Sequence, residues 1–298
     1  MKIKDLLQIS TDIPFLCDAP MSFYTTYRTG GIAEILALPE TENQLKTLIN
    51  IVKEKDITFR VLGSGSNILV SDEGIKGITC CLRNFKKIEI KDNTITAYSG
   101  NSLDEVIRFA VKNGLSGLEN LSGIPGSIGG AVFMNAGAYN TETFDKLKTF
   151  PLLTYEGEIK TLNKEDVVYS YRKVEGIENS IILSATFELT KDNPILLTAK
   201  RVDILRKRKE KQPLEFPSAG SVFKRPQGNY ASKLIDEAGL KGLTIGGAQV
   251  STKHAGFIIN YDNATAKDIY DLICEVQKQV KEKTGYSLEL EQILWGKF

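Results

Sequence analysis

The sequence predicts a mixed α and β protein of two or three lobes, on three observations. The chain has 298 residues, about twice a typical domain. Runs rich in β-branched and aromatic residues recur through its first two thirds. Amphipathic stretches with helix-start signals fall between them and again near the C-terminus.

The elements follow in order. IAEILAL (32–38) reads as a strand. Thr41-Glu42-Asn43-Gln44 has the pattern of a capping box, and Leu45, Leu48, Ile49 and Val52 follow at the spacing of one helix face. ITFRVL (57–62) reads as a strand running into GSGSN (63–67). ILVSD and ITCCL look like further strands, and IEI with TITAYS like a hairpin. A second capping box, Ser102-x-x-Glu105, opens a helix with Leu103, Val106, Ile107 and Ala110 inward and Gly114 past its end. LKTFPLLTY and SIILSATFEL are strand signals. KDNP (191–194) marks a domain boundary before a helix carrying the basic run Arg206–Lys211. Beyond it come a helix around 230–238, a strand-like GFIIN and a long amphipathic helix from about Thr265 to Lys283, stopped by Gly285. SLELEQILW closes the chain as a strand.

Composition narrows the function classes. Hydrophobic residues are 42% and charged residues 25%, enough for a substantial core. Lys+Arg 38 against Asp+Glu 37 gives a formal net charge of +1, which argues against nucleic acid or a membrane surface as the general partner. Cys17, Cys80, Cys81 and Cys274 contain no C-x-x-C pair, so no metal site is expected, and free thiols in a reducing cytoplasm fit best. The N-terminus lacks a signal-peptide core. Asn120–Thr141 runs 22 residues without a charge, but its five glycines, Pro125 and three asparagines suit turns and close backbone approach rather than a membrane span.

Two loops carry chemistry. Gly63-Ser64-Gly65-Ser66-Asn67 follows a strand. It fails as a dinucleotide fingerprint, because Ile68 stands where the third glycine is needed and a strand rather than a helix comes next. It remains either a tight turn or a nest of backbone N–H groups for a phosphate. Gly123 to Tyr139 interleaves glycines with Ile124, Ile128, Val132, Phe133 and Met134, unlike a flexible surface loop. Backbone lying against a large planar or phosphorylated ligand explains that mixture better.

With TTYRTGG (25–31), LGSGSNILVSD (62–72), GIPGSIGGAVFMNAGAY (123–139), YSYR (169–172), KQP (211–213), AGSVFKRP (219–226), KLIDEAGLKG (233–242), GGAQVSTKHAGFIIN (246–260) and LELE (288–291), the chain closely resembles the UDP-N-acetylenolpyruvoylglucosamine reductase family. The resemblance covers roughly residues 20 to 293, and the absence of two insertions points to the shorter, type II form. It implies an α+β chain: an FAD-binding fold of the PCMH type (vanillyl-alcohol-oxidase-like) in two lobes over 27–191, a C-terminal α+β substrate-binding domain over 192–298, and an N-terminal segment 1–26.

The implied reaction is NADPH-dependent, FAD-mediated reduction of UDP-N-acetylglucosamine enolpyruvate to UDP-N-acetylmuramate, in a cytoplasmic monomer with no nucleic-acid or membrane partner. Non-covalent FAD would lie against Tyr27, Arg28, Gly63, Ser64, Gly65, Ser66 and Asn67. Its second stretch would be Gly123, Pro125, Gly126, Ser127, Gly129, Gly130, Ala131, Asn135, Gly137 and Ala138. Ser221 would donate the proton, Arg172 would face the substrate carboxylate and Glu291 would sit beside the developing anion. Leu290 and Gln292 replace the family's usual proline and basic residue, which leaves a choice between Glu289 and Glu291, resolved in favour of Glu291. Lys211, Lys224, Arg225 and His254 would contact the UDP-sugar, although His254, the sole histidine, could equally be structural. Another FAD oxidase of the same fold, or a nucleotide-sugar binder without redox function, are the rival readings.

Overall fold

The computed structural model describes residues 3–10 and 12–298; residues 1, 2 and 11 of the expected N-terminal segment lie outside it. The chain forms two compact units from interleaved stretches of sequence. The first takes residues up to Cys17, Ile35–Ser64 and Gly77–Lys207; the second takes Asp18–Glu34, Gly65–Lys76 and Arg208–Phe298.

The first unit holds two separate cores, one for each expected lobe. In one, the helix Glu42–Glu54 buries Leu45, Leu48, Ile49 and Val52 as their spacing predicts. Thr41 and Gln44 form the reciprocal capping box at its start. Phe59–Leu62 pairs in parallel with the strand Ile75–Cys81, Phe59 opposite Ile78. Burial pushes the Cys80 and Cys81 thiols up, away from the reactive thiolate.

The other core lies against an antiparallel sheet ordered Ile159–Asn163, Leu147–Thr154, Ser184–Glu188, Thr94–Tyr98, Ile88–Lys91, with Ser180–Ile182 also on Leu147–Thr154. The expected IEI/TITAYS hairpin is present, Ile90 opposite Ile95. The helix Leu103–Lys112 buries Leu103, Val106, Ile107 and Ala110. Its expected capping box does not form: the Ser102 side chain makes no cap bond, and Ser102 bridges to Ser127 instead. The uncharged stretch 120–141, expected as loops, contains the short helix Ile128–Phe133, because the Ser127 hydroxyl caps it and Ile128, Ala131 and Val132 have a core to enter.

In the second unit the helix Ala266–Thr284 buries Ile269, Leu272, Ile273, Val276 and Val280, each contributing roughly 1.5–3 kcal/mol. Thr265 and Asp268 cap its start, and Gly285, at φ 77°, ends it in the left-handed conformation. It packs on the antiparallel strands Thr244–Ile245, Ala248–Val250 and Ile258–Asn260. Of SLELEQILW only Ile293–Trp295 is a strand, parallel to Ile68–Val70; before it Leu290 makes a single bridge to Phe223, so 287–292 forms no ladder although Leu288 and Gln292 are buried in alternation with exposed Ser287 and Glu289. Tyr27 and Leu69 complete this core from distant sequence. Among the described residues no helix is long and apolar enough to cross a membrane.

Candidate active site

In the first unit the glycines of the two loops meet protein on one side. A Cβ on Gly63 would lie 2.3 Å from the Ser127 Oγ, and one on Gly129 would lie 2.9 Å from the Ser99 Cβ. The N–H groups of Ile128, Gly129 and Gly130 go to Asn101 O, Ser99 O and the Ser127 hydroxyl at 2.9, 3.1 and 3.2 Å. Gly130 differs: it is exposed, and a Cβ there would touch only Ser127 Oγ, at 3.4 Å. At the head of the segment the Asp104 carboxylate accepts the Gly123 N–H at 3.0 Å and is itself held by Arg201 at 2.6 Å. Pro125 is exposed, Gly126 accepts the Leu103 N–H at 2.8 Å, and Ala131 is buried.

The end of the segment gathers around Asn135. Its side chain is fully buried, donates to Glu142 Oε2 and Ser170 O at 2.7 and 3.2 Å, and accepts from the Phe144 N–H. Arg172 donates to the carbonyls of Asn135 and Gly137 at 3.2 and 2.9 Å, with its guanidinium 4.8 Å from the Tyr171 ring centre. Ala138 pairs with Thr141 in the adjoining two-residue ladder.

The chain re-enters the second unit at Gly65, whose φ of 65° and closeness to Tyr24 O (2.1 Å from an added Cβ) leave room for no side chain. Gly65 accepts from the Thr26 N–H at 3.1 Å, which sets the TTYRTGG turn against this loop. Arg28 is exposed at the turn with a φ of 56°. Among the described residues, none of the N–H groups of Ser64, Gly65, Ser66 and Asn67 donates to a backbone carbonyl. A run of such donors is what an anion nest requires.

The Asn67 side chain donates to Glu291 O at 3.1 Å, and the Glu291 N–H donates to Val222 O at 2.9 Å. That places Glu291 and Ser221, the neighbour of Val222, beside the loop of Asn67. Ser221 is exposed and follows Gly220. Glu289 is exposed and ion-paired with Lys224, so the two glutamates have different surroundings. Arg225 stacks its guanidinium 4.6 Å from the Tyr230 ring centre. His254 accepts the Gly256 N–H on Nδ1 at 3.1 Å and packs edge-on against Phe257; burial lowers its pKa, so it is neutral at pH 7 with the proton on Nε2. Lys211 is exposed at the end of the helix Pro194–Lys211, apart from these contacts.

Tyr27, expected against FAD, is fully buried and donates to Gln292 Oε1 at 3.0 Å, while Gln292 Nε2, for which no role was expected, donates to Ala219 O at 3.2 Å. Burial pushes the Tyr27 hydroxyl well above its ordinary range, so it stays a donor. The Asp72 carboxylate accepts the N–H groups of Ala266 and Lys267, both at 2.9 Å, at the start of the long helix. The one available signal was Gln292 standing where a basic residue is usual.

Each unit by itself offers a feature that suits FAD: in the second, the N–H groups of residues 65–67 donate to no backbone carbonyl among the described residues, as a pyrophosphate would need, and in the first the side-chain-free backbone at Gly130 is exposed. Among the described residues no cluster of His, Cys, Asp and Glu is arranged to hold a metal.

Comparison with known proteins agrees. The FAD binding domain family matches residues 33–163, and the UDP-N-acetylenolpyruvoylglucosamine reductase, C-terminal domain family matches residues 212–295. The UDP-N-acetylenolpyruvoylglucosamine reductase of Limosilactobacillus reuteri subsp. reuteri is 46% identical over 98% of this chain and 99% of its own length. That of Clostridium botulinum (strain Eklund 17B / Type B) is 48% identical over 94% and 92%. The crystal structure of the Thermus caldophilus reductase, 33% identical, superposes with a TM-score of 0.81 over 95% of this chain and 99% of that one. The expected α+β FAD-binding fold with its C-terminal domain is borne out, and the chain belongs to the UDP-N-acetylenolpyruvoylglucosamine reductase family.

Proposed function

We propose that the exposed Ser221, with Glu291 and Arg172, performs the protein's chemistry: the reduction by NADPH of UDP-N-acetylglucosamine enolpyruvate to UDP-N-acetylmuramate, a step in peptidoglycan synthesis. Held by the loop 63–67 and the segment 123–139, FAD would supply the redox chemistry between NADPH and the terminal vinyl carbon of the substrate. The adjacent carbon then carries negative charge shared with the carboxylate. Arg172, a permanent cation with planar donors, binds that carboxylate. Ser221 gives its hydroxyl proton to the carbanionic carbon, where position counts for more than acidity because the acceptor is a strong base. Glu291 flanks the charge. Lys211, Lys224 and Arg225 hold the UDP diphosphate, and neutral His254 offers its Nε2–H to the sugar nucleotide. Residues 27–191 carry the flavin and 192–298 the UDP-sugar; the enzyme is a cytoplasmic monomer with neither nucleic-acid nor membrane partner.

The observation that carries this assignment is the pair of bonds on Glu291, to Val222 O and from Asn67 Nδ2, which tie the neighbour of Ser221 and the glutamate to the loop of Asn67. Anaerobic stopped-flow tests it. Ser221→Ala should bind FAD and be reduced by NADPH normally, yet be reoxidised by the enolpyruvyl substrate at least roughly 100-fold more slowly. Equal slowing of both half-reactions would remove Ser221 from the role.

A further inference from the structure

We propose that Asn135 is the positioning residue for Arg172, holding the guanidinium where a carboxylate must meet it; this rests on the reading of Arg172 as the carboxylate-binding arginine. Arg172 lies in the turn of a short hairpin whose strands are Tyr169–Ser170 and Lys173–Val174. It adopts a φ of 59°, a conformation that costs a non-glycine residue energy and persists only where its surroundings impose it. Asn135 supplies that constraint at two points. Its side-chain N–H donates to the carbonyl of Ser170, the last strand residue before the turn, and its main-chain carbonyl accepts from Arg172 Nη1. One residue therefore fixes both the base of the hairpin and the tip of its arginine.

Asn135 is itself immobilised. It is fully buried, with its amide held by Glu142 Oε2 at 2.7 Å and by the Phe144 N–H at 3.2 Å. Its φ of 39° is in the left-handed region, which asparagine tolerates better than other side chains. That turn also directs the Gly137 carbonyl, the second acceptor for the guanidinium, 2.9 Å from Nη2. Two carbonyls in fixed relation orient the plane of the guanidinium, and orientation is what bidentate recognition of a carboxylate depends on. The buried amide thus serves the arginine rather than touching a ligand.

The test compares two ligands on the oxidised, FAD-loaded protein by calorimetry: UDP-N-acetylglucosamine enolpyruvate and UDP-N-acetylglucosamine, which lacks the carboxylate. The ratio of their affinities reads the carboxylate contact alone. Asn135→Gly keeps the left-handed backbone but removes the amide, and should lower the ratio roughly tenfold, the scale of one misaligned charge-assisted hydrogen bond. Arg172→Lys should lower it at least as much, and the double variant should fall no more than about twofold below Arg172→Lys, because the two residues act as one unit. Asn135→Asp, which keeps side-chain volume but loses both N–H donors, replaces the glycine variant if that one fails to retain flavin. Equal weakening of both ligands, or losses that multiply in the double variant, would overturn the assignment of Asn135. An unchanged ratio in Arg172→Lys would instead overturn the reading of Arg172 and this proposal with it.

Discussion

The loop 63–67 and the segment 123–139 are both dense in glycine, yet their backbones are used differently. In the first, the N–H groups of residues 64–67 donate to no backbone carbonyl among the described residues. In the second, Ile128, Gly129 and Gly130 already have acceptors inside the protein. The first has the makings of an anion site, whereas the second is largely a packing device that lets a short helix sit against Ser99. Glycine in a sequence signals close approach. It does not say whether the neighbour is a ligand or the protein itself: Gly129 is closed in by Ser99, whereas Gly130, next to it in sequence, is exposed with room for a Cβ.

The largest effect should come from Gly65→Ala. A methyl group would meet Tyr24 O and force a positive φ on alanine, so a loss of at least about 3 kcal/mol is expected from strain and displaced backbone together. Chemical denaturation of the flavin-free protein measures it; a change below 1 kcal/mol would mean the loop moves freely (the ordinary scale of surface substitutions). Gly129→Ala should cost about 1–3 kcal/mol by overpacking against Ser99. Gly130→Ala separates the two uses of glycine. The protein alone has room for the methyl, so the flavin-free form should gain about 0.5–1 kcal/mol as a helical glycine becomes alanine. If this backbone faces FAD, the same variant should bind flavin more weakly, which equilibrium titration followed by flavin fluorescence would detect. Unchanged flavin affinity would leave loop 63–67 as the main contact.

The smallest effect lies outside both loops. Burial lowers the His254 pKa below 6.5, so the unfolded chain takes up the proton first as pH falls. Stability should be full above about pH 6.5 and decline below it, and His254→Gln should flatten that part of the curve. A curve equally steep in the variant would assign the decline to other groups.

What could be foreseen from sequence divides along similar physical lines. The helices Glu42–Glu54 and Ala266–Thr284 were legible because their capping boxes and apolar spacing are local and agree with the packing. Ser102-x-x-Glu105 has the same local pattern, but Ser102 was claimed by Ser127, a partner 25 positions away that no local pattern reveals. SLELEQILW alternates convincingly, yet Leu290 finds only a one-residue bridge and the ladder begins at Ile293. At the site, Ser221, Asn67 and Glu291 stand in recognisable motifs. Asp104 was silent, and Gln292 showed only as a departure from the usual basic residue, since their roles depend on the Gly123 N–H and on Tyr27, 265 positions from Gln292.

The interleaving of the two units constrains how the molecule is made. A ribosome releases Tyr27 and Leu69 long before Ile269 and Val276, the helix residues that share their core. The second unit therefore cannot mature while the chain is still emerging; its early segments must wait, solvent-exposed or shielded by helper proteins, until the last 91 residues (Arg208–Phe298) arrive. A fragment starting at Arg208 would lack those two core side chains, so expression of the carboxyl-terminal piece in isolation should yield aggregating material.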